Sequence, residues 1–315
     1  MSSLAWGQDF GEDQLRLPGK KGMCYILPVS DDRKRSPEEN DAIRVRNALR
    51  VAALNVSWNY SWGLRRVPEQ PVGVEFVPMV WGAGARDPQD AARRLVVNLR
   101  ESVVPQIRSG YVKRILGFNE PDRSEQANMT VEQVLAIWPI LESLRIPLCS
   151  PSCANTEGTD ATDAANQGTD GNWMPHFMSE VERLGLRVDY IGTHGYPGPN
   201  AVAFQTKLKR IHEKYGRRPL LITEFAVADW KTGGDIRKNR YSQAQVLAFM
   251  KEMLPWMERQ DWILGYAWFS FEMDSPQGTS SALFDADNKL TALGRYYRSV
   301  TPENPDGDQS IQVDR

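Results

Sequence analysis

Two glutamates lie in similar sequence surroundings about one hundred positions apart, Glu120 in the stretch GFNEP and Glu224 in the stretch ITEFA. Each follows a run of apolar, β-type residues, so each carboxyl group is predicted at the carboxyl end of a buried strand. Two carboxyl groups at facing strand ends suit the hydrolysis of an acetal, because one donates a proton while the other acts as nucleophile or base. Taken alone, either glutamate could instead be an ion-pair partner or a helix-cap acceptor. The pair favours the catalytic interpretation.

Strand-like and helix-like segments alternate along the whole chain. Helix starts are indicated by capping boxes at Ser36–Glu39 and Thr130–Gln133. Eight short apolar runs are predicted as strands, at 21–27, 56–60, 74–81, 114–118, 147–150, 188–192, 219–223 and 263–269. Such alternation predicts an α/β fold with parallel strands, and a single-domain (β/α)8 TIM barrel is the simplest solution. The alternative is a doubly wound sheet, whose usual Gly-rich turn after the first strand is missing here.

The domain limits follow from the same pattern. The barrel is predicted to span residues 21–300, after an N-terminal extension at 1–20 and before a polar, disordered C-terminal tail at 301–315. A stretch of small and polar residues predicts a long loop at 155–172. In a barrel of this kind, the working groups project from the carboxyl ends of the strands. Glu120 would therefore end the fourth strand, and Glu224 the seventh.

Composition limits the partners. The 315 residues carry a formal net charge of −2, which argues against nucleic acid or an acidic membrane surface and favours a neutral substrate. No apolar stretch reaches the length of a membrane span. The N-terminus lacks the basic start and apolar centre of a signal peptide, so the protein is expected to be cytoplasmic, or secreted if a leader has been removed. We expect a monomer.

Cysteine and histidine usage gives no sign of a metal or a disulfide framework. Cys24, Cys149 and Cys153 are expected to be free, buried thiols, although the last two could form a bridge or bind a metal. The chain has three histidines, and no two of them have the spacing of metal ligands. We therefore expect neither a metal nor a cofactor.

Four motifs in a fixed order narrow the prediction: GFNEPD at 117–122, SPS at 150–152, GTHGY at 192–196 and ITEFA at 222–226. Together they resemble glycoside hydrolase family 128, a clan A family with the alkali-sensitive-linkage type of catalytic core, whose members cleave β-1,3-glucans. The resemblance runs from about residue 21 to about residue 300. It implies a retaining endo-β-1,3-glucanase that hydrolyses laminarin-like or cell-wall glucan by double displacement.

The resemblance also implies roles for individual residues. Glu120 would be the general acid and then the general base, and Glu224 the nucleophile that forms a glycosyl-enzyme intermediate. Asn119 would hydrogen-bond the sugar 2-hydroxyl. The hydroxyl of Tyr196 would donate to Glu224 and keep it ionised and aimed. His194 would lie in the sugar site, with a purely structural histidine as the alternative.

Aromatic residues follow several predicted strands, where sugar rings could stack on them. The alternative for any one of them is a place in the hydrophobic core. The candidates are Trp58, Tyr60 and Trp62 after the second strand, Trp81 after the third, Trp230 close after Glu224, and Trp268 in the eighth.

Two other functions stay open at this point. One is a clan A hydrolase of a different β-linkage, such as β-1,6-glucan or xylan, because linkage choice depends on loop shape. The other is a barrel that binds β-glucan without cutting it. The presence of both glutamates weighs against the second alternative.

Overall fold

The structure, a computed structural model, describes residues 10–25, 35–158 and 172–313. Six strands pair in parallel, in the spatial order β3-β2-β1-β6-β5-β4. They are β1 (Lys21–Cys24), β2 (Trp58–Tyr60), β3 (Glu75–Phe76), β4 (Ile191–Gly195), β5 (Leu220–Phe225) and β6 (Ile263–Phe269). The predicted α/β fold is confirmed. Residues 26–27 of the first predicted strand and 159–171 of the predicted loop lie outside the described residues.

The predicted fourth and fifth strands pair more sparsely than the other six. Their segments, 114–119 and 147–153, are joined to the sheet by isolated parallel bridges rather than by ladders. The bridges link Met79 to Leu116, Ile115 to Leu148, and Cys149 to Tyr190. This path leads from the end of β3 to the start of β4, which are the two edges of the sheet. It is consistent with a closed eight-stranded barrel.

Helices separate the strands along the chain. The helices are α1 (Glu12–Leu15), α2 (Pro37–Ala53), α3 (Pro88–Asn98), α4 (Val104–Arg108), α5 (Val131–Glu142), α6 (Trp173–Leu184), α7 (Ala201–Lys214), α8 (Gln243–Glu258) and α9 (Ala292–Ser299). Both predicted capping boxes are present, at the starts of α2 and α5. Within the described ranges, no helix combines the length and the apolar character that crossing a bilayer requires.

Alternate strand residues belong to two hydrophobic layers. In β5, Leu220 and Ile222 pack in the layer that contains the helices, whereas Leu221 packs in the inner layer. Strand geometry causes this division, since successive side chains point to opposite faces. All three cysteines are free and buried, as predicted.

The segment before β1 closes the amino end of the strands. Leu15 and Leu17 pack into the inner layer. The guanidinium of Arg114 donates to the carbonyl oxygens of Leu15 at 2.6 Å and Arg16 at 2.8 Å, and it is paired with Glu75 at 2.7 Å. Glu120 and Glu224 lie at the opposite end, which this segment does not cover.

The C-terminal segment is ordered over residues 301–313, so the prediction of a disordered tail was wrong there. Lys251 Nζ donates to the carbonyl oxygens of Gln309 and Ile311. The side chains of Ile311 and Val313 pack against the core. The polar composition of this segment did not predict these contacts, because they involve backbone carbonyl groups and two apolar side chains.

Two adjacent lysines tie β1 to the ends of two helices. Lys20 Nζ donates to the carbonyl oxygen of Glu258, the last residue of α8, at 2.7 Å and to that of Gln260, just beyond the helix, at 2.9 Å. Lys21 Nζ donates to those of Tyr297 at 2.7 Å and Arg298 at 3.2 Å, in the last turn of α9. Each ammonium satisfies carbonyl groups that a helix end leaves unpaired.

We predict that Lys21→Met destabilises the protein by about 1–3 kcal/mol, because buried carbonyl groups at the end of α9 lose their donor. Urea unfolding followed by circular dichroism measures the loss. The control is Lys289→Met, an exposed lysine whose loss should change the free energy of unfolding by less than about 0.5 kcal/mol. Equal midpoints for Lys21→Met and wild type would contradict this role.

Candidate active site

Glu120 occupies a strained backbone position at the end of the fourth strand segment. Its φ angle is +40°, in the left-handed region that residues other than glycine rarely adopt. Its backbone N–H donates to the carbonyl oxygen of Ser152 at 2.8 Å, which anchors it to the neighbouring segment. Strain of this kind persists only where the surroundings hold it, and it concentrates at functional sites.

Glu224 lies one residue before the end of β5, opposite His194 of β4. The register between these strands shifts at Thr193 and His194, an irregularity that re-aims the side chains which follow it. Glu224 is buried, with 5% of its surface exposed. A carboxylate in such a place needs hydrogen-bond donors to remain ionised.

The structure brings the two glutamates together. One carboxylate oxygen of Glu120, one of Glu224 and a ring nitrogen of His194 all lie within 4.8 Å of one another. His194 Nδ1 is hydrogen-bonded to Oε1 of Glu120 at 2.7 Å and lies 3.4 Å from Oε2 of Glu224. A single sugar ring could therefore contact both carboxyl groups.

Three donors surround the carboxylate of Glu224. The Tyr60 hydroxyl and the Trp62 indole N–H each donate to Oε1 at 2.9 Å, and the Tyr196 hydroxyl donates to Oε2. The contact expected of Tyr196 is thus present. Tyr60 is fully buried, so it cannot stack on a sugar as predicted and instead supports Glu224.

The two phenols stay neutral donors. Burial raises the pKa of Tyr60 and of Tyr196 well above the ordinary value, and the negative charge of Glu224 raises it further. An ionised phenol would repel the carboxylate beside it. Both hydroxyl groups therefore keep the proton that they donate.

Opposing effects act on the pKa of His194. Burial acts to lower its pKa, but the negative charge of Glu224 and the hydrogen bond to Glu120 outweigh burial and raise the pKa above its ordinary value. Its other ring nitrogen, Nε2, is buried and has no hydrogen-bond partner in the described part of the chain. His194 is therefore held between the two carboxyl groups through Nδ1.

Asn119 keeps an acceptor available beside Glu120. Its Nδ2 donates to Oε1 of Gln126 at 3.1 Å, whereas its Oδ1 is buried and without a hydrogen-bond partner among the described residues. Buried polar atoms are seldom left unsatisfied, so an unpaired one next to a catalytic candidate fits a contact with substrate. The predicted role of Asn119 toward a sugar hydroxyl stays a prediction.

Two of the predicted tryptophans are exposed on either side of this centre. Trp81 is 41% exposed and lines, with Trp62, a cavity of about 510 Å³. A second cavity of about 370 Å³ continues from it past Gly82, Ala83 and Gly84. On the other side, Trp230 is 60% exposed and its ring centre lies 5.5 Å from that of Tyr196.

The prediction of sugar stacking was wrong for Trp58 and Trp268, since both are fully buried. Trp58 packs over Gly22, where an added Cβ would lie 2.2 Å from the indole, and its N–H donates to the carbonyl oxygen of Lys20. Trp268 belongs to the layer that faces the helices and donates to the carbonyl oxygen of Ser281. Strand alternation turns both rings away from solvent.

Two phenylalanines that sequence reasoning did not single out complete the aromatic surface. The ring of Phe269 lies 5.4 Å from Tyr196 and 5.9 Å from Trp62, and that of Phe271 lies 5.9 Å from Tyr196. One sign of this role was visible in the sequence, the position of Phe269 at the end of the eighth predicted strand (β6). These rings join Trp62 to Trp230 across the site.

The same centre offers donors for a cation. Among the described residues, Glu120, His194 and Glu224 form the group whose ligand atoms are close enough to share a metal ion. Both oxygens of Glu224 already accept hydrogen bonds, which a metal would have to displace. The expectation of no metal stays a prediction.

A parallel-stranded α/β fold with two adjacent glutamates at its strand ends defines the protein as a glycoside hydrolase by class. The sequence model described as the glycosyl hydrolase catalytic core matches residues 40–297. The chain belongs to this family, and the resemblance to glycoside hydrolase family 128 is confirmed. No curated protein matches its sequence.

Solved structures of family 128 agree with this assignment. A variant of the subgroup I endo-β-1,3-glucanase from Amycolatopsis mediterranei, in complex with laminarihexaose, is 26% identical with a TM-score of 0.65, over 90% of this chain and 100% of that one. The subgroup II endo-β-1,3-glucanase from Pseudomonas viridiflava is 26% identical with a TM-score of 0.60, over 90% and 98% of the two chains. A subgroup VII oligosaccharide-binding protein from Trichoderma gamsii, 18% identical with a TM-score of 0.62 over 92% and 96%, shares the fold.

Because Trp268 is buried and Trp230 exposed, we predict opposite effects on stability. Trp268→Ala should cost about 3–5 kcal/mol, since it leaves a cavity in the core. Trp230→Ala should change the free energy of unfolding by less than about 1 kcal/mol. Chemical denaturation of both variants makes the comparison. A stability loss of the same size in both would contradict the assignment of Trp230 to the site surface.

The protonation of His194 is also testable. We predict that it titrates above the ordinary histidine value of about 6.5, whereas the pKa of His212 is lowered, chiefly by burial. The stability that His194 adds is therefore fully present below about pH 6.5 and is lost as the pH rises through its raised pKa. Nuclear magnetic resonance of the ring protons, with His194→Gln for assignment, gives both values. A His194 pKa below that of His212 would contradict the prediction.

Proposed function

We propose that the protein is a retaining endo-β-1,3-glucanase. The observation that carries the proposal is the approach of Glu120 and Glu224, whose nearest ligand atoms lie within 4.8 Å of each other. Retaining glycosidases place their carboxyl groups about 5–5.5 Å apart, whereas inverting enzymes leave about 6.5–9.5 Å for a water molecule. The spacing supports direct attack by one carboxylate.

In the first step, Glu224 attacks the anomeric carbon while Glu120 protonates the departing glycosidic oxygen. Glu224 enters this step ionised, with Tyr60, Trp62 and Tyr196 as its donors. With His194 Nδ1 as the donor to Oε1 of Glu120, the proton that Glu120 gives up is carried by Oε2. The product is a glycosyl-enzyme ester on Glu224.

In the second step, Glu120 acts as the base. It has lost its proton to the leaving group, so it can take one from a water molecule that attacks the anomeric carbon. The ester bond breaks and Glu224 leaves as a carboxylate. Two inversions give net retention of the β configuration.

The substrate proposed is a neutral β-1,3-glucan. A net charge of −2 gives no general attraction for polyanions. The aromatic surface suits the apolar faces of sugar rings, and the Amycolatopsis mediterranei structure contains laminarihexaose. Cavities extend from Trp62 past Trp81 on one side, and Trp230 stands on the other, so the chain would continue in both directions. Such a site favours cleavage within a chain.

Three alternatives remain for the experiment to decide. A subgroup VI exo-β-1,3-glucanase from Aureobasidium namibiae and the Trichoderma gamsii oligosaccharide-binding protein are 20% and 18% identical to this chain. At that identity they share the fold alone, so the fold does not decide between cutting and binding. The paired glutamates favour an enzyme. Hydrolysis of another β-linkage, such as β-1,6-glucan or xylan, is the third alternative.

We predict that wild type cuts laminarin into several oligosaccharides and releases the β-anomer first. The variants Glu120→Gln and Glu224→Gln should lose at least about 1,000-fold in kcat on laminari-oligosaccharides. Azide should restore turnover of an activated substrate to Glu224→Ala and give the α-glycosyl azide. Chromatography on β-glucans of known linkage and nuclear magnetic resonance of the anomers supply the readouts.

The matched control is Glu272→Gln, a carboxyl group near the same end of the barrel that pairs with Arg50, and it should keep activity within a few-fold. A chelator should leave the activity of wild type unchanged. Binding without release of reducing sugar would establish a carbohydrate-binding protein instead. First release of the α-anomer would exclude a retaining mechanism, and activity confined to other glucans or xylan would exclude the linkage.

A further inference from the structure

The two oxygens of Glu224 have unequal surroundings. Among the residues that the structure describes, Oε1 accepts two hydrogen bonds, from Tyr60 and Trp62, each at 2.9 Å, while Oε2 accepts one, from Tyr196. A carboxylate oxygen has two lone-pair sites, so both sites of Oε1 are engaged and one site of Oε2 is open. Oε2 is also the oxygen near His194 Nδ1, which is hydrogen-bonded to Glu120.

We propose that Oε2 of Glu224 is the atom that attacks the sugar, and that Trp62 is a positioning residue which, together with Tyr60, stabilises Glu224 as the leaving carboxylate in the second step. The proposal rests on the proposed retaining function. It gives Trp62 a role different from that of a sugar-stacking wall.

Charge on Glu224 changes in opposite directions in the two steps. In the first step the bond from Oε2 to the anomeric carbon forms, the bond to the departing oxygen breaks, and the carboxylate loses its charge. In the second, the oxygen of water bonds to the anomeric carbon, its proton goes to Glu120, and the electron pair of the broken ester bond returns to Glu224. Hydrogen bonds to a charged acceptor are stronger than those to a neutral one.

Donors to Oε1 therefore favour the second step. During the covalent intermediate Oε1 is the carbonyl oxygen of the ester, and negative charge returns to it as the ester breaks. Preformed donors aimed at that developing charge lower the barrier, as in an oxyanion hole. The same donors make the free carboxylate a weaker nucleophile, so their removal does not slow the first step by this route.

The fold holds the indole of Trp62 in place for this task. The backbone of Trp62 has a φ angle of +56°, the left-handed conformation also found at Glu120. Its ring packs edge-on against Tyr60 at 5.1 Å and against Phe269 at 5.9 Å between ring centres. A sparsely populated backbone angle held by packing fits a residue whose side chain must point in one direction.

The test separates the two chemical steps. The substrate is an aryl β-laminaritrioside with a dinitrophenol leaving group, whose departure needs little acid assistance, so that breakdown of the glycosyl-enzyme limits kcat. Three variants are compared: Trp62→Phe, Tyr60→Phe, and the protein in which Trp62 is replaced by benzothienylalanine. Benzothienylalanine keeps the bicyclic ring of tryptophan and lacks its N–H. Trp81→Phe is the matched control, because it trims the same groove and makes no hydrogen bond to Glu224.

We expect each of the three variants to lower kcat about 10- to 100-fold, the loss of one hydrogen bond to a charged group, while kcat/KM stays within about threefold. A burst of dinitrophenol and a glycosyl adduct in the intact mass should accompany the lower kcat. Trp81→Phe should raise KM and give no additional adduct. The proposal would be overturned if Tyr60→Phe and the benzothienylalanine protein lost kcat and kcat/KM equally and accumulated no glycosyl adduct.

Failure of the proposed function would be visible separately. Wild type would then release no dinitrophenol, or would release the α-anomer first, before any variant is considered. A retaining wild type whose variants show no change in the second step would leave the proposed function standing and remove only the role of Trp62.

Discussion

The buried carboxylate of Glu224 is the constraint on which the site depends. Burying a carboxylate that has only 5% of its surface exposed is costly unless hydrogen-bond donors replace water around it. Here they come from two separate parts of the sheet, Tyr60 and Trp62 at the end of β2 and Tyr196 just after β4. Glu224 is therefore held from two sides, which the sheet order β2-β1-β6-β5-β4 keeps apart.

Strand alternation determines which side chains reach that carboxylate. Trp58 and Tyr60 both lie in the inner layer, but at different heights along the strand direction. Trp58 fills the space over Gly22 nearer the amino end, where Leu15 and Leu17 close the layer. Tyr60, two residues further along the strand, is high enough to donate to Glu224. Packing at the closed end thus supports the position of the donor at the open end.

Sequence reasoning could predict the parallel α/β fold, because apolar runs and capping boxes are local signals, and it could place Glu120 and Glu224 at strand ends. It could not separate exposed tryptophans from core tryptophans. Trp58 and Trp62 are close together in the sequence, but Trp58 is buried and Trp62 faces the site. Trp62 adopts a left-handed backbone angle, which its residue type does not predict. Nor could it predict an ordered tail, since the contacts of Lys251 with Gln309 and Ile311 use backbone carbonyl groups.

The left-handed residues Glu120 and Trp62 indicate how stability and chemistry are connected. Each such angle costs of order 1 kcal/mol or more and persists only if the surrounding contacts outweigh that cost. For Glu120 they include the hydrogen bond from its N–H to Ser152; for Trp62 they are the rings of Tyr60 and Phe269 and the carboxylate of Glu224. Glu224 thus receives a hydrogen bond from Trp62 and also helps to hold Trp62 in its strained conformation. Glu224 and Trp62 therefore stabilise each other, and neither position can be understood from its own residue type alone.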